Sequence, residues 1–426
     1  MKRKVMISIL TFFASISGFA QLTLDDCYAK ARANYPLIRQ YDLLEQTERY
    51  SLANIAKSYL PRVTLNGQAS YQSDITALPI DLKSLGIPVD IPTVSNDQYK
   101  AAIDVNQLLW DGGQTNSQRT LVKAANEVEK CRTDVSMYAV EEKVCQLFFG
   151  ILAMNERLKI LDLKEKDVLS NKKTVESLLK NGTATQSDLD QINVAQLQIE
   201  QTRTEHSETK LAFCRALSLF IREDVHDNTV LVKPTSDFAS SGAVFRPELT
   251  LFDAQITLLA KQSGAITAKN RPVVSLFAQG GYGRPGLNML KDEFDFFAIG
   301  GLRLTWNFGN LYTQKNERHI LQSNINAIAL QRETFLFITN LQLTQEQSEI
   351  EKSRKLLLKD DEIVTLRECV KQAGESKYRN GIYQMSELIR DINAEEEARQ
   401  TKALHEIQYL LNIHNYRHTK GLRTKS

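Results

Sequence analysis

The chain has 426 residues, with 53 basic and 51 acidic side chains and 42% apolar residues, which gives room for two or three ordinary domains and excludes a disordered polyelectrolyte. Its formal charge of +2 comes from the extreme N-terminus: without Lys2, Arg3 and Lys4 the balance is 50 basic against 51 acidic, so a nucleic-acid partner, which requires a strongly basic face, is excluded. Glycine (19) and proline (9) are scarce, and no proline lies between Pro92 and Pro234 or after Pro285. Long helices follow, because proline costs a helix interior ~3 kcal/mol and glycine ~1 kcal/mol.

Residues 1–20 read as a secretory signal: a basic start, an apolar run from Val5 to Phe13, and Gly18 and Ala20 as the small residues before cleavage ahead of Gln21. An uncleaved anchor helix is the alternative, but the run is shorter than the ~20 apolar residues of a membrane span. The five cysteines (Cys27, Cys131, Cys145, Cys214, Cys369) are odd in number, widely spaced and without a C-x-x-C pair. Neither a disulfide framework nor a zinc site is indicated, and they read as small apolar side chains on helices. His414 and His418 stand at i and i+4 without a third ligand nearby, so no metal and no cofactor is expected.

The remaining chain says the same thing twice. Pro36 and Pro61 are spaced like Pro247 and Pro272, and at a constant shift of 211 Tyr41 falls on Phe252, Asp42 on Asp253, Ile55 on Ile266, Val63 on Val274, Leu65 on Leu276, Gln68 on Gln279 and Tyr71 on Tyr282. The first repeat covers 21–220: a helix (36–58), a β-hairpin (62–110) and a long helical hairpin (113–220). A linker follows at 221–246. The second repeat covers 247–417: a helix (247–270), a β-hairpin (272–308) and a helical hairpin (310–417), with a tail at 418–426.

Each first helix ends just before a proline, as helices usually do. After Pro61 the pattern changes to period two: Val63, Leu65, Gly67, Ala69 and Tyr71 point one way, and Arg62, Thr64, Asn66, Gln68, Ser70 and Gln72 the other. A strand between lipid and water requires this alternation, although a strand of a soluble sandwich shows it too. For the returning strands, the alignment that pairs Ala101 with Gly300, Ile103 with Leu302 and Val105 with Leu304 keeps the apolar faces in phase. Trp110 and Trp306 then lie at one end of equivalent hairpins and Tyr71 and Tyr282 toward the other, as interfacial aromatics at the two surfaces of a membrane would.

From Gln114 to Lys180 there is one glycine, Gly150, and no proline; from Leu311 to Asn380 there is again one, Gly374. Leu147, Ile151, Met154, Leu158, Leu161, Val168, Val175 and Leu179 follow alternating steps of four and three, broken by Glu165 and Lys172, which is a coiled-coil seam. Each long helix turns at Asn-Gly (Asn181-Gly182, Asn380-Gly381) and returns over about 185–220 or 384–417. No nucleophile–base arrangement, carboxylate pair or cofactor loop stands out, so the chain is not expected to be an enzyme.

The duplicated plan, the Pro-then-strand junctions at Pro61 and Pro272, Asp111-Gly112-Gly113 with its copy Asn307-Phe308-Gly309, and the two G-x(4)-S-[DE]-L turns at Gly182 and Gly381 resemble the TolC-like outer-membrane efflux protein family over essentially the whole chain beyond residue 20. The resemblance implies an α+β membrane protein. Four strands per chain would contribute to a trimeric transmembrane β-barrel, and long coiled-coil helical hairpins would form a periplasmic tube. It further implies a homotrimer embedded in outer-membrane lipid, acting as the passive exit duct of a tripartite efflux or type I secretion system. Partners would be a periplasmic adaptor and an inner-membrane RND or ABC pump.

The adaptor-docking tip then falls on Asn181, Gly182, Ser187, Leu189, Asn380, Gly381, Ser386 and Leu388. The family's closed entrance is held by carboxylates and a tyrosine, which places Tyr378, Glu387 and Asp188 at a periplasmic gate. The pattern departs at the next acidic position, which is Arg390 here with Asp391 beside it, and Tyr383 replaces the family's tip arginine. The alternative for Asp188 and Glu387 is that acids near a helix N-terminus favour the macrodipole. For the whole chain, the alternative is a soluble periplasmic coiled-coil adaptor or scaffold.

Overall fold

A computed structural model describes residues 21–75, 94–234 and 242–422; the signal segment 1–20, residues 423–426 of the tail and 235–241 of the linker lie outside the described residues. In chain order the elements are α1 (Leu24–Asn34), α2 (Gln40–Ala56), β1 (Arg62–Tyr71), β2 (Asp97–Trp110), α3 (Gln114–Lys180), α4 (Gln186–Ile221), α5 (Pro247–Lys269), β3 (Val273–Arg284), β4 (Asp295–Thr305), α6 (Asn310–Arg379) and α7 (Met385–Lys420). Among the described residues no helix is long and apolar enough to cross a membrane.

Two compact units cut across the repeats, because each long helix contributes to both. One unit comprises 41–132 and 250–333; the other takes 133–249, 334–426 and the N-terminal 40 residues. α7 runs on to Lys420, so its last turn includes His418, Thr419 and Lys420, which the expected boundary at 417 assigned to the tail. α1 is an addition to the expected helices. Its signal is legible in hindsight: Thr23 and Asp26 form a capping box, with Asp26 N donating to Thr23 Oγ1 at 3.1 Å and Thr23 N to Asp26 at 3.2 Å.

In the first unit β1–β4 form one antiparallel sheet in the order β1-β2-β3-β4. The register pairs Val63 with Val105 and Leu65 with Ile103, and equivalently Val274 with Leu304 and Leu276 with Leu302; the in-phase alignment of the repeats is the one the backbone adopts. A register irregularity between Leu108 and Trp110 brings Trp110 opposite Val274, on the outward row. Where β2 passes into α3, Asp111 accepts hydrogen bonds from Gly113 N at 2.9 Å, Thr115 N at 2.5 Å and the Tyr59 hydroxyl at 3.2 Å. Gly112 has φ +66° there, and a Cβ would stand 2.5 Å from Arg271 Cβ. The copy keeps the side-chain hydrogen bond, with Gly309 N donating to Asn307 Oδ1 at 3.0 Å, but not the positive φ that Gly112 and Gly113 adopt.

In the second unit α1 packs Leu24, Cys27 and Ala31 against Val144, Phe148 and Leu152 of α3 and Leu217 and Ile221 of α4. Leu22 leads in through a parallel bridge to Leu231. Cys27, Cys131, Cys145 and Cys214 are buried, whereas Cys369 on α6 is exposed. His418 stacks on Tyr138 with ring centroids 4.1 Å apart, and His414 lies 5.4 Å from the Phe149 ring.

Burial pushes the His414 pKa down to about 4. The unfolded chain therefore takes up this proton first, near pH ~6.5, so the stability associated with the neutral ring is complete above that pH and is lost as the pH falls toward the folded value. Between pH ~7 and pH ~5 the contribution lost is on the order of 2 kcal/mol. Denaturant melts of the helical unit are expected to show this loss, and His414→Phe to flatten it; an unchanged pH slope in the variant contradicts the assignment.

Candidate functional site

The two faces of the sheet are chemically opposite. The outward row contains Val63, Leu65, Tyr71, Ile103, Leu276, Leu302, Leu304 and Phe296, all exposed, with Leu65 at 77% and Phe296 at 81%. On the other face a polar ladder crosses three strands: Asn66 Nδ2 donates to Asp104 at 2.5 Å, Gln279 Nε2 to Asp104 at 2.6 Å, and Lys100 Nζ to Gln279 at 3.1 Å. Phe277 and Phe297 share that face, but each lies beneath a cation, Arg303 at 4.8 Å and Lys100 at 4.7 Å from the ring centroids. β1 and β4 are the sheet's edges, each paired on one side only among the described residues.

Aromatics gather at both strand ends. Trp110 and Trp306 stand at the end where β3 begins, Trp306 donating to Asn270 O at 3.1 Å and packing on Phe308 at 4.7 Å. Tyr282 meets Phe294 at 5.4 Å and Phe296 at 4.8 Å at the opposite end, and Tyr99 lies 6.4 Å from Phe294; Tyr71 stands at that end too. Tyr99, Phe294, Phe296 and Phe308 were missed in the sequence. Their signal was positional, since each falls at a strand boundary.

The helical hairpins turn in the same way. Gly182 N bonds to Leu179 O at 3.0 Å and Thr183 N to Leu178 O at 2.9 Å; Gly381 N bonds to Tyr378 O and Ile382 N to Lys377 O, both at 3.0 Å. These are Schellman ends, and the glycines supply the positive φ they need, +74° and +72°. Asn181, Gly182, Ser187, Asn380, Gly381 and Ser386 are exposed. Leu189 is only partly exposed and packs on a cluster in which Leu161, Val168, Val175 and Ile192 meet Tyr378, Met385, Leu388 and Ile392. Leu388 is fully buried there, so its place is in the packing of the tip and not on a docking surface, a correction that follows from its facing Tyr378 across the hairpin.

The gate candidates separate. Asp188 closes a capping box with Thr185, accepting from Thr185 N at 2.9 Å and Thr185 Oγ1 at 2.8 Å, and Glu387 accepts from Gln384 N at 2.9 Å. Both carboxylates are thus first-turn caps of α4 and α7, the macrodipole role. Tyr378 is buried, and its hydroxyl has no hydrogen-bond partner; burial, with Asp188 nearby, raises its pKa. Asp391 is buried too and accepts from the Tyr383 hydroxyl at 3.0 Å, which raises the Tyr383 pKa. Arg390 is exposed.

Above the tip a buried ion network joins the hairpins. Lys371 reaches Asp167 at 2.7 Å and Glu395 at 3.7 Å, Arg399 pairs with Glu395 and with Glu368 at 3.4 Å, and Lys164 pairs with Glu396. The polar residues that break the α3 seam are matched as well: Glu165 takes Arg203 at 2.6 Å, and Lys172 donates to Gln196 at 3.0 Å. Charges at interior positions of an apolar repeat were the sequence signal for this network, and partners on distant helices kept it illegible. Among the described residues no cluster of side chains could hold a metal ion.

No family model matches the chain, and no curated protein matches it in sequence. Its fold does match solved structures. The outer membrane protein VceC from Vibrio cholerae superposes with a TM-score of 0.66 at 11% identity, covering 94% of this chain and 97% of that one. The Campylobacter jejuni CmeC outer membrane channel gives 0.65 at 12%, covering 95% and 87%, and the open state of the Neisseria gonorrhoeae MtrE outer membrane channel 0.65 at 13%, covering 95% and 91%. The chain has the TolC-like fold of these channels, with long helical hairpins and a four-stranded antiparallel sheet.

Proposed function

We propose, from a fold shared with outer-membrane channels, that this chain is the passive outer-membrane exit duct of a tripartite efflux or type I secretion system. The observation that carries the reading is the sheet: a four-stranded layer with one exposed apolar face, one polar face and two open edges. In lipid an open edge leaves backbone amides without partners, and closure is the remedy. Four strands are too few, while three copies give twelve, enough for a water-filled interior. The outward row then meets lipid, the Asn66–Asp104–Gln279–Lys100 ladder lines the lumen, and Tyr71, Trp110, Tyr282 and Trp306 lie at the two membrane surfaces. The helical hairpins occupy the periplasm, where the exposed tip residues meet an adaptor that couples the duct to an inner-membrane RND or ABC pump. A soluble scaffold would have no use for so wide an exposed apolar face.

Fractionation tests this reading. The protein is expected in the outer membrane, extracted only by detergent, trimeric by native mass measurement and heat-modifiable on gels; a detergent-free monomer contradicts it. At the mouth of the duct, Asp188 and Glu387, both partly exposed, and Arg390, exposed, are the candidates with accessible surface. Glu387→Gln is expected to reduce cation selectivity in single-channel recordings if Glu387 also faces the lumen. If capping is its whole role, the variant loses ~0.3–1 kcal/mol of local helix stability and selectivity is unchanged.

A further inference from the structure

Charge is unevenly placed along the polar face of the sheet. The strand register puts Arg62, Lys100 and Arg303 on that face against Asp104 and Asp295. Lys100 and Asp295 lie toward the hairpin end of the strands, and Asp104, midway, already accepts from Asn66 and Gln279. Arg62 opens β1 and Arg303 stands two residues before the end of β4, so both arginines occupy the rim where strands join helices. Among the described residues no acid of the polar face stands at that rim.

The strand–helix junctions extend the imbalance. Over 55–63, 105–116, 266–275 and 301–312 the chain carries Lys57, Arg62, Lys269, Arg271 and Arg303 against Asp111 alone, although its overall balance is 53 basic to 51 acidic. Asp111 is buried, and Gly113 N, Thr115 N and the Tyr59 hydroxyl take up its carboxylate. The five cations are exposed, and among the described residues none has a carboxylate within 4.0 Å. Arg303 is also held in place. Its guanidinium lies 4.8 Å from the Phe277 ring centroid, and that ring reaches its position because Gly301 is bare: a Cβ there would stand 3.2 Å from it. Stacking fixes the guanidinium plane and leaves its N–H edge for an oxyanion, which it can grip with two parallel bonds.

We infer that Arg62 and Arg303 form an oxyanion-binding ring at the helix-side end of the barrel lumen, which takes the carboxylate, phosphate or sulfonate groups of solutes passing through. The inference rests on the trimeric-duct reading and adds a binding site and its class of ligand. Arg62 is on one edge strand and Arg303 on the other. Closure of the sheet sets β1 of one copy beside β4 of the next, so the two arginines of each chain become a ring of six. Like charges around a wet lumen repel one another until anions join them, and walls of one sign concentrate the opposite ion. Rings of arginine or lysine select anions in pores for this reason. A lipid headgroup offers the same oxyanion, but it meets the outer surface of a barrel, whereas both arginines belong to the polar face.

The test is direct binding to the full-length protein in nonionic detergent at low salt, read as the fluorescence anisotropy of the tetra-anion pyrenetetrasulfonate. The wild-type protein is expected to bind the probe, and Arg62→Gln with Arg303→Gln to weaken binding about tenfold or more, as the loss of charge-assisted hydrogen bonds requires. Lys57→Gln with Lys269→Gln removes the same charge from the junctions and is expected to change binding by less than about twofold. Equal weakening by the two pairs overturns the ring in favour of diffuse attraction to the rim. Either single glutamine variant is expected to show part of the loss, which decides the matter if the double variant does not assemble; singles that bind like the wild type overturn the assignment. Tripolyphosphate is expected to displace the probe, whereas phosphatidylglycerol added to the micelles is not, and displacement by the lipid overturns the lumen assignment. A protein of trimeric native mass that binds no probe overturns the ring and leaves the duct reading standing. A monomeric native mass overturns both.

Discussion

Leu65→Arg is expected to abolish assembly of the heat-modifiable trimer, while Asn66→Arg, one residue away, assembles at near wild-type yield. Leu65 lies in the middle of β1 opposite Ile103 and is 77% exposed, so in a closed barrel its side chain meets hydrocarbon. An arginine near the bilayer midplane costs ~2–4 kcal/mol, and threefold symmetry incurs that cost three times in one barrel. Asn66 faces the other way and already donates to Asp104; a guanidinium there gains the same carboxylate in a wet lumen. The measurement is the yield of folded trimer in outer-membrane fractions. Equal yields for the two variants would reverse or remove the assigned faces.

Leu388→Ala is expected to cost ~2–5 kcal/mol, the usual range for emptying a buried leucine site, with the loss confined to the hairpin tips. Leu388 is fully buried among Tyr378, Met385 and Ile392 and the facing residues of α3 and α4. Hydrogen exchange should accelerate around both turns and remain slow in the sheet. Ser386→Ala, at an exposed position two residues earlier, should leave exchange unaltered. A Leu388→Ala tip that keeps wild-type protection, yet no longer cross-links to an adaptor, would return this residue to the docking surface from which the packing removes it.

Most of the architecture was legible because its signals are local and repeated. Proline and glycine scarcity sets the helix lengths, Asn-Gly sets the turns through a positive φ that glycine supplies without strain, and period-two alternation sets the strands. Repetition resolved what one copy left ambiguous, since the in-phase pairing of Ile103 with Leu302 is the one that keeps both apolar rows on the same side of the sheet. The N-terminal helix α1 escaped only because its capping box, Thr23 with Asp26, lies ahead of the repeat that guided the reading.

The roles of individual tip residues were decided by tertiary structure. A carboxylate three residues into a helix has the same sequence signature whether it caps its own backbone or faces a pore; the Thr185–Asp188 and Gln384–Glu387 bonds show the caps. Leu388 and Tyr378 sit beside exposed turn residues in sequence, yet point inward, because a helix changes its facing by about 100° per residue and the neighbouring hairpin fixes which direction is interior. Lys371, Asp167 and Glu395 are separated along the chain and meet only when α3, α6 and α7 pack together. Local chemistry along the chain thus determined the elements and their order, and the packing of distant helices decided which side chains were left for solvent, lipid or a second copy.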